Sequence, residues 1–226
     1  MNADKKIKIA IDGPAASGKS TTARLLANKL DYTYIDSGAM YRAVTLKALR
    51  SKVPVTENRR VAEIAASIKL RLEKDPEKTV IFMDEEDISE AIRTPEIDRA
   101  ISPVAANPMV RELLVKLQQQ MGVAGGVVMD GRDIGTVVFP DAELKIYMKA
   151  SAEERALRRR KELAQRGIEA DLQQLTAEIR QRDRADRERS HGPLKMAADA
   201  VELDTTKLTI AEQVERIFQL ALQRIQ

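Results

Sequence analysis

Residues 13–20 form a glycine-containing segment that could hold phosphate groups, and they read Gly13-Pro14-Ala15-Ala16-Ser17-Gly18-Lys19-Ser20. The segment fits G-x-x-x-x-G-K-[ST], follows an apolar run at 7–11 and precedes a predicted helix at 21–30. Its glycines allow backbone N–H groups to converge on phosphate oxygens, and the N-terminus of the next helix adds partial positive charge. Lys19 is placed to reach the β and γ oxygens, and Ser20 to ligate Mg²⁺. We therefore predict that this phosphate loop (residues 13–20) binds a nucleoside triphosphate together with Thr21.

Two further segments carry polar residues directly after predicted strands. Asp36-Ser37-Gly38-Ala39-Met40-Tyr41-Arg42 follows a strand and opens a helix, so Ser37 is expected to cap this helix and Arg42 to lie one turn in. Asp130-Gly131-Arg132-Asp133 follows another strand. In open parallel sheets, ligands bind at the carboxyl ends of the strands. We therefore expect both segments to converge on the phosphate loop.

Two predicted helices in the last third of the chain carry arginines on one face. These residues are Arg155, Arg158 and Arg159 on the first helix, and Arg182 and Arg189 with Asp186 on the second. Taken alone, each group is typical of a solvated face with salt bridges. Beside a phosphate loop they favour phosphoryl transfer, because charge on the transferring oxygens must be neutralised. The helix breakers Gly167, Gly192 and Pro193 bracket the helix pair, which predicts a closing lid at 152–192.

Hydrophobic patterning predicts the elements that position these residues. Strands are expected at 7–12, 32–36, 127–130, 144–148 and 200–203. Helices are expected at 21–30, 39–50, 108–121, 152–165, 171–189 and 209–225. This alternation predicts an α/β fold in which helices cover both faces of a five-stranded parallel sheet.

One stretch departs from that alternation. Residues 68–73 alternate with period two, 74–77 read as a turn, and 79–83 extend again, which predicts a hairpin. A hairpin inside an α/β chain indicates an inserted subdomain, which we place at 53–107. The core domain is then 1–52 together with 108–226.

Composition excludes several other classes of protein. The chain has 226 residues, a net charge of +3, 3% aromatic residues and no cysteine, which excludes disulfide frameworks and thiolate metal sites. The first apolar run is cut by Asp12, so it predicts neither a signal peptide nor a membrane span. Near-balanced charge and few aromatic residues argue against a nucleic-acid partner. We expect a cytoplasmic monomer that binds neither nucleic acid nor membrane.

Three features admit other interpretations. Asn28-Lys29-Leu30-Asp31 spells the guanine-reading motif N-K-x-D of GTPases, but it lies ten residues after the phosphate loop, where a solvated helix end is the plainer interpretation. The single histidine, His191, lies in Ser190-His191-Gly192-Pro193 and is interpreted as a loop residue. Asp130 either holds a water on the Mg²⁺ ion or only caps its strand.

These motifs together resemble the bacterial cytidylate kinases. The resemblance runs in order along nearly the whole chain, through the phosphate loop, the segments 36–42 and 131–140, and the helix that carries Arg182, Asp186 and Arg189. It implies a P-loop NTPase fold with an inserted small antiparallel β subdomain and a helical lid. It also implies transfer of the γ-phosphoryl group of ATP to CMP, and to dCMP, with Mg²⁺ as cofactor.

The resemblance also implies roles for individual residues. The acceptor CMP would be held by Ser37, Arg42, Arg132, Arg182 and Arg189, with Asp186 at its ribose. Ser102 and Arg111 would read the cytosine, with Asp133 nearby. Lys19, Arg132, Arg155, Arg159 and Arg182 would be catalytic, and Arg158 would bind ATP from the lid.

A phosphate acceptor removes the need for a general base. Its second pKa is about 6, so near neutral pH the acceptor already carries most of its nucleophilic charge. Kinases of alcohol acceptors, such as shikimate or dephospho-coenzyme A, would need a base. A nucleic-acid-binding ATPase would instead show hydrolysis stimulated by polynucleotide. These two alternatives stand beside the proposed nucleotide acceptor.

Overall fold

The computed structural model describes residues 6–75, 77–165 and 167–225. Residues 1–5 of the predicted core domain, Pro76 of the predicted turn, residue 166 of the predicted lid and the C-terminal residue 226 lie outside the described residues. Within the described ranges, no helix is both long and apolar enough to cross a membrane.

The described residues form strands and helices that alternate along most of the chain. The strands are β1 (Lys8–Asp12), β2 (Thr33–Asp36), β3 (Leu70–Glu73), β4 (Val80–Met83), β5 (Glu86–Asp87), β6 (Val127–Gly131), β7 (Leu144–Lys149) and β8 (Val201–Asp204). The helices are α1 (Lys19–Leu30), α2 (Ser37–Arg50), α3 (Asn58–Ser67), α4 (Pro95–Ala106), α5 (Pro108–Met121), α6 (Ala152–Ala164), α7 (Leu172–Glu188) and α8 (Ile210–Ile225). A 3₁₀ turn covers Ala91–Arg93 and a π-helical turn covers Ile134–Val138.

The main sheet has five parallel strands in the order β2-β6-β1-β7-β8. This confirms the predicted α/β class, with strand ends that differ from the predicted ones by at most one residue. In register, Asp12 lies opposite Gly131, and Asp36 opposite Asp130. The carboxyl ends of β1, β2 and β6 therefore meet at one edge, where the phosphate loop and both polar segments begin.

Buried apolar side chains hold helices against both faces of this sheet. Ile9 and Ile11 of β1 are fully buried and pack in one cluster with residues of α1 and α8. The alternate residue Ala10 faces a second cluster, to which α2, α3 and α5 contribute. Burying one isoleucine side chain contributes about 1.5–3 kcal/mol. The burial of residues 9–12 therefore holds the carboxyl end of β1 in place, and the phosphate loop starts at this end.

The predicted hairpin is present and is larger than the sequence indicates. Strands β3, β4 and β5 form an antiparallel three-stranded sheet, in which Leu70 pairs with Met83. The sequence analysis did not predict helices α3 and α4 on either side of it. Pro103 lies inside α4, where a proline reads as a helix breaker. The helix nevertheless forms after Thr94, whose hydroxyl accepts a hydrogen bond from the Ile97 N–H, with Pro95 in the first turn.

Candidate active site

The phosphate loop leaves β1 through Gly13 and enters α1 at Lys19. A Cβ atom on Gly13 would overlap with the backbone carbonyl of Met148 on β7, so only glycine lets the loop leave the sheet this closely. The Lys19 ammonium donates a hydrogen bond to the carbonyl of Pro14 at 3.2 Å, inside the loop. The buried hydroxyl of Ser17 has no hydrogen-bond partner among the described residues. The loop thus keeps an unused buried polar atom, which suits a site that receives a polar ligand.

Lys19, Ser20 and Asp130 lie together at the ends of β1 and β6. The Ser20 hydroxyl donates to one Asp130 carboxylate oxygen at 2.8 Å, and Lys19 Nζ lies 3.9 Å from the same oxygen. Tyr34 donates to the other oxygen at 2.7 Å. Burial and the nearby charge of Arg132 lower the pKa of Lys19, whereas burial and the nearby Asp36 raise the pKa of Asp130. Folding thus disfavours the charged form of both side chains, and a phosphate beside Lys19 or a cation beside Asp130 would favour that form.

The segment after β2 folds differently from the prediction at its helix cap. The cap of α2 is Asp36, whose carboxylate accepts a hydrogen bond from the Ala39 N–H at 2.9 Å. The expectation that Ser37 caps the helix is wrong, because Ser37 is the first residue of α2 itself. Its hydroxyl instead donates to the backbone carbonyl of Asp130 at 2.6 Å. Ser37 therefore ties α2 to the end of β6.

The segment after β6 is anchored by a residue that the sequence analysis did not single out. Each carboxylate oxygen of Asp12 accepts one backbone hydrogen bond at 2.8 Å, from Ile134 and from Gly135. Burial raises the pKa of Asp12 to about 7, even though these two N–H groups favour its charged form. Asp12 thus fixes the π-helical turn directly behind Arg132 and Asp133.

Arg111, Asp133 and Arg189 form a buried charge cluster beside this turn. Arg111 pairs with Asp133, and a second Arg111 nitrogen donates to the Tyr41 hydroxyl at 3.2 Å. Arg189 lies 3.6 Å from Asp133, and its Nε donates to the Gly192 carbonyl at 2.6 Å. Burial raises the pKa of Asp133, although both arginines act in the opposite direction. This cluster joins three parts of the fold, because Arg111 lies on α5, Asp133 follows β6 and Arg189 caps the C-terminus of α7.

Asp186 of α7 pairs with Arg132, which follows β6. Asp186 accepts a hydrogen bond from Arg132 Nε at 2.7 Å. Burial would raise the pKa of Asp186, but the charges of Arg132 and Arg182 outweigh it and hold this pKa below its usual value. Burial, with Arg132 and Arg42 beside it, lowers the pKa of Arg182 to about 10. This part of the site is therefore dense in positive charge.

The carboxylate of Asp98 on α4 lies close to three of the predicted arginines. Arg42 Nη2 lies 2.6 Å from Asp98 Oδ1, and Arg182 Nη1 lies 3.7 Å from the same oxygen. Arg159 pairs with Oδ2. Sequence reasoning missed Asp98, because an aspartate in the first turn of a helix is ordinary.

Two other lid arginines, Arg155 and Arg158, contact backbone carbonyls of the phosphate loop. Arg155 is buried, binds Asp183 through two nitrogens at 3.0 and 2.6 Å, and donates to the Ala15 carbonyl at 3.2 Å. Arg158 donates to the Ser17 carbonyl at 3.3 Å and to that of Thr205 at 2.7 Å. Asp183 also joins α7 to α6, and the sequence analysis did not identify it.

The structure also places Ser102, His191 and the N-K-x-D segment, which the sequence analysis named. Ser102 is partly buried on α4, three residues before Ala105, whose carbonyl is 3.5 Å from Arg111 Nη1. His191 is exposed and lies 3.0 Å from the Ser190 hydroxyl. The N-K-x-D segment ends α1, with Asp31 as the C-cap residue, so its side chains belong to a helix end.

Comparisons by sequence match the chain to one family along nearly its whole length. The profile of the family described as Cytidylate kinase matches residues 9–223. A protein of Bacillus anthracis (strain CDC 684 / NRRL 3495) named Cytidylate kinase is 51% identical over 97% of this chain and 97% of its own. One of Bacillus cereus (strain ATCC 10987 / NRS 248) with the same name is 51% identical over 96% of both chains. Among solved structures, a shikimate kinase from Acinetobacter baumannii in complex with shikimate covers 97% of this chain and 95% of its own, with a TM-score of 0.47 and 13% identity.

Proposed function

This chain belongs to the cytidylate kinase family, and we propose that it transfers the γ-phosphoryl group of ATP to CMP and to dCMP. The products are ADP with CDP or dCDP, which gives the protein a place in pyrimidine nucleotide metabolism. One observation carries the proposal: the phosphate loop, the Asp130–Asp133 segment and arginines from four helices converge at the same edge of the sheet. We further propose that the protein acts as a monomer in the cytoplasm and needs no nucleic-acid partner.

The proposed reaction brings two polyanions together against their mutual repulsion. Arginine is suited to this task, because its planar guanidinium can bind a phosphate through two hydrogen bonds. We assign the acceptor phosphate to Ser37, Arg42, Arg132, Arg182 and Arg189. Asp186 is assigned to the ribose, and Ser102, Arg111 and Asp133 to the cytosine. Aligning the two nucleotides supplies much of the rate enhancement, because it replaces a bimolecular encounter.

The residues at the triphosphate end act mainly through charge. We propose that the phosphate loop and Thr21 bind ATP, and that Lys19 neutralises charge that moves to the β–γ bridging oxygen. Arg132, Arg155, Arg159 and Arg182 complete this role around the transferring group. Arg158 contributes from the lid side, where it also contacts the loop carbonyl of Ser17.

The donor set beside Lys19 fits a magnesium ion bound together with the nucleotide. Ser20 and Asp130 offer a hydroxyl and a carboxylate 2.8 Å apart, and Mg²⁺ prefers oxygen ligands and retains waters. Among the described residues, no group of three histidine, cysteine, aspartate or glutamate side chains could hold a metal by itself. We propose that Ser20 ligates Mg²⁺ directly and Asp130 through water. The ion would draw charge from the β and γ oxygens.

Exclusion of water is the last requirement, because a bound triphosphate without acceptor would otherwise hydrolyse. We propose that residues 152–192, which contain α6 and α7, act as the lid, and that residues 53–107 form the subdomain that closes over CMP. The side chains of Ala156, Leu163, Leu175 and Ile179 pack α6 against α7, which supports movement of the pair as a unit.

Measurement of ADP formation with a panel of acceptors tests the proposed function. The panel is CMP, dCMP, UMP, AMP, shikimate and RNA, each with ATP and Mg²⁺. We expect turnover with CMP and dCMP to exceed the shikimate and RNA rates by at least about a hundredfold, because only the nucleotides fill both halves of the site. Turnover with shikimate alone, or hydrolysis stimulated by RNA, would overturn the proposal.

The glycine beside Arg111 gives a further prediction. Gly192 has φ +57°, and a Cβ there would overlap with the Arg111 guanidinium and the Asp133 carboxylate. We expect Gly192→Ala to raise the KM for CMP by about tenfold, a change of about 1.4 kcal/mol, with little change in the KM for ATP. Steady-state kinetics with each substrate varied measure both values.

Gly167→Ala is the matched control for this variant. Gly167 has a similar φ of +73°, but nothing lies within 4 Å of an added Cβ. Both variants carry the backbone strain of about 1–2 kcal/mol, and only Gly192→Ala adds the overlap. An equal rise in the KM for CMP in both would mean that the ion pair has no part in the effect.

A further inference from the structure

Asp98 is placed as an anion inside the proposed acceptor site. Its carboxylate lies 2.6 Å from Arg42 Nη2 and 3.7 Å from Arg182 Nη1, and it pairs with Arg159. These partners come from α2, α7 and α6, whereas Asp98 itself belongs to α4. The Asp98 side chain is 20% exposed, so a ligand entering from solvent can reach the cluster.

The charge of Asp98 persists at neutral pH. Burial would raise the pKa of Asp98, but the charges of Arg42, Arg159 and Arg182 outweigh burial and hold this pKa below its usual value. A carboxylate held between guanidinium groups resembles a phosphate group in two respects, namely its negative charge and its hydrogen-bond acceptors. Arg42 and Arg182 are also two of the arginines assigned above to the acceptor phosphate.

A phosphate dianion entering this cluster meets both attraction and repulsion. It is attracted by the three guanidinium groups and repelled by Asp98, because like charges in a partly buried site interact strongly. Each arginine also has a fixed fork of donors, so a bidentate grip on phosphate uses nitrogens now directed at Asp98. The carboxylate and the phosphate therefore draw on the same groups.

We propose that Asp98 is an intramolecular competitor of the acceptor phosphate for Arg42, Arg159 and Arg182, and that it thereby sets the affinity for CMP. The proposal rests on the roles of Arg42 and Arg182 under the proposed function, and it adds Arg159, which was assigned there to the transferring group. It has one consequence for the lid: the arriving phosphate takes Arg159 from Asp98. Arg159 is therefore released toward the reacting groups only when an acceptor is bound.

Asp98→Asn removes the negative charge and keeps the size of the side chain. We expect the KM for CMP to fall about tenfold, since the like charge no longer opposes the phosphate, while the KM for ATP changes less than about twofold. Cytidine lacks the phosphate, so its inhibition constant against CMP is expected to stay within about twofold of the wild-type value. A KM for CMP that is unchanged or higher would overturn the proposal and leave Asp98 a support for Arg42. A fall in the KM for CMP and in the inhibition constant of cytidine by the same factor would also overturn the proposal.

Glu96→Gln is the matched control. Glu96 is exposed in the same first turn of α4, so this variant makes the same change in net charge and in the interaction with the helix dipole. It is expected to leave the ratio of CMP affinity to cytidine affinity at the wild-type value. A change as large as that in Asp98→Asn would overturn the competition.

A second variant, Asp98→Glu, tests the proposal if Asp98→Asn is too unstable to be assayed. Asp98→Glu keeps the charge and extends the carboxylate further among the arginines, so we expect a higher KM for CMP with cytidine inhibition unchanged. Equal weakening of both ligands would overturn the proposal. Wild-type turnover of CMP tests the proposed function itself, whereas the ratio of CMP affinity to cytidine affinity in the variants tests only this inference.

Discussion

Replacing Lys19 with alanine is expected to lower CMP turnover by at least about a hundred- to a thousandfold, the loss typical when one preorganised charge on the transition state is removed. The Lys19 ammonium is buried at the start of α1, 3.9 Å from the Asp130 carboxylate and hydrogen-bonded to the Pro14 carbonyl. Lys19 is the only lysine in residues 13–20, so no other side chain of the phosphate loop can take its place.

The variant is expected to remain folded. Burial lowers the pKa of Lys19, which means that folding already opposes the charge of this side chain. Asp130 keeps the hydrogen bonds from Ser20 and Tyr34 when the lysine is absent. Thermal melting should therefore show a transition close to that of the wild type.

Coupled measurement of ADP formation under saturating CMP and ATP checks this prediction. Lys29→Ala is the control, because Lys29 lies on the same helix α1, is partly exposed and pairs with Glu215 at the surface. The control should keep wild-type turnover. Near-normal turnover in Lys19→Ala would refute the assignment of the phosphate loop.

The edge of the sheet at which the site lies could be predicted from the sequence. Strands such as β1 and β6 are short, largely apolar runs with an aspartate at or next to the carboxyl end, and in a parallel sheet these ends must share one edge. The phosphate loop could be predicted for the same reason, since its glycines and Lys19 act through local backbone geometry. Local pattern and tertiary position agree at these residues.

The charge pairs within the site could not be predicted in this way. Asp98 pairs with residues 56, 61 and 84 positions away in the chain, so its role depends on how four helices pack. Asp183 is likewise one of four acidic residues on α7, and only packing against Arg155 distinguishes it. Charged residues carry no periodic signal of the kind that locates strands and helices.

Local competition explains the mistaken cap at α2. Both Asp36 and Ser37 favour the N-cap position, and their order in the sequence does not decide between them. The end of β6 decides it, because its carbonyl at Asp130 accepts the hydrogen bond of Ser37 and leaves Asp36 as the cap. A neighbouring strand thus selects between two equivalent local structures.

The second large effect is expected at Arg111. Replacing Arg111 with alanine should raise the KM for CMP by about ten- to a hundredfold, since a charge-assisted hydrogen bond to the base contributes about 1.5–3 kcal/mol. The KM for ATP should change less than about threefold, because Arg111 pairs with Asp133 and contacts Tyr41, away from the phosphate loop. Initial rates with each substrate varied against saturating levels of the other measure both constants.

Two further variants separate recognition of the base from support of the fold. Removing one member of a buried ion pair can cost about 3–5 kcal/mol of stability, so Arg111→Ala could lower both affinities by loosening the site. Arg111→Lys keeps a positive charge beside Asp133 but loses the planar fork, and should still raise the KM for CMP selectively. Lys116→Ala, at the exposed face of the same helix α5, should change neither constant. Equal rises in both constants for Arg111→Lys would remove Arg111 from cytosine recognition, because a residue that reads the base must discriminate between the two nucleotides.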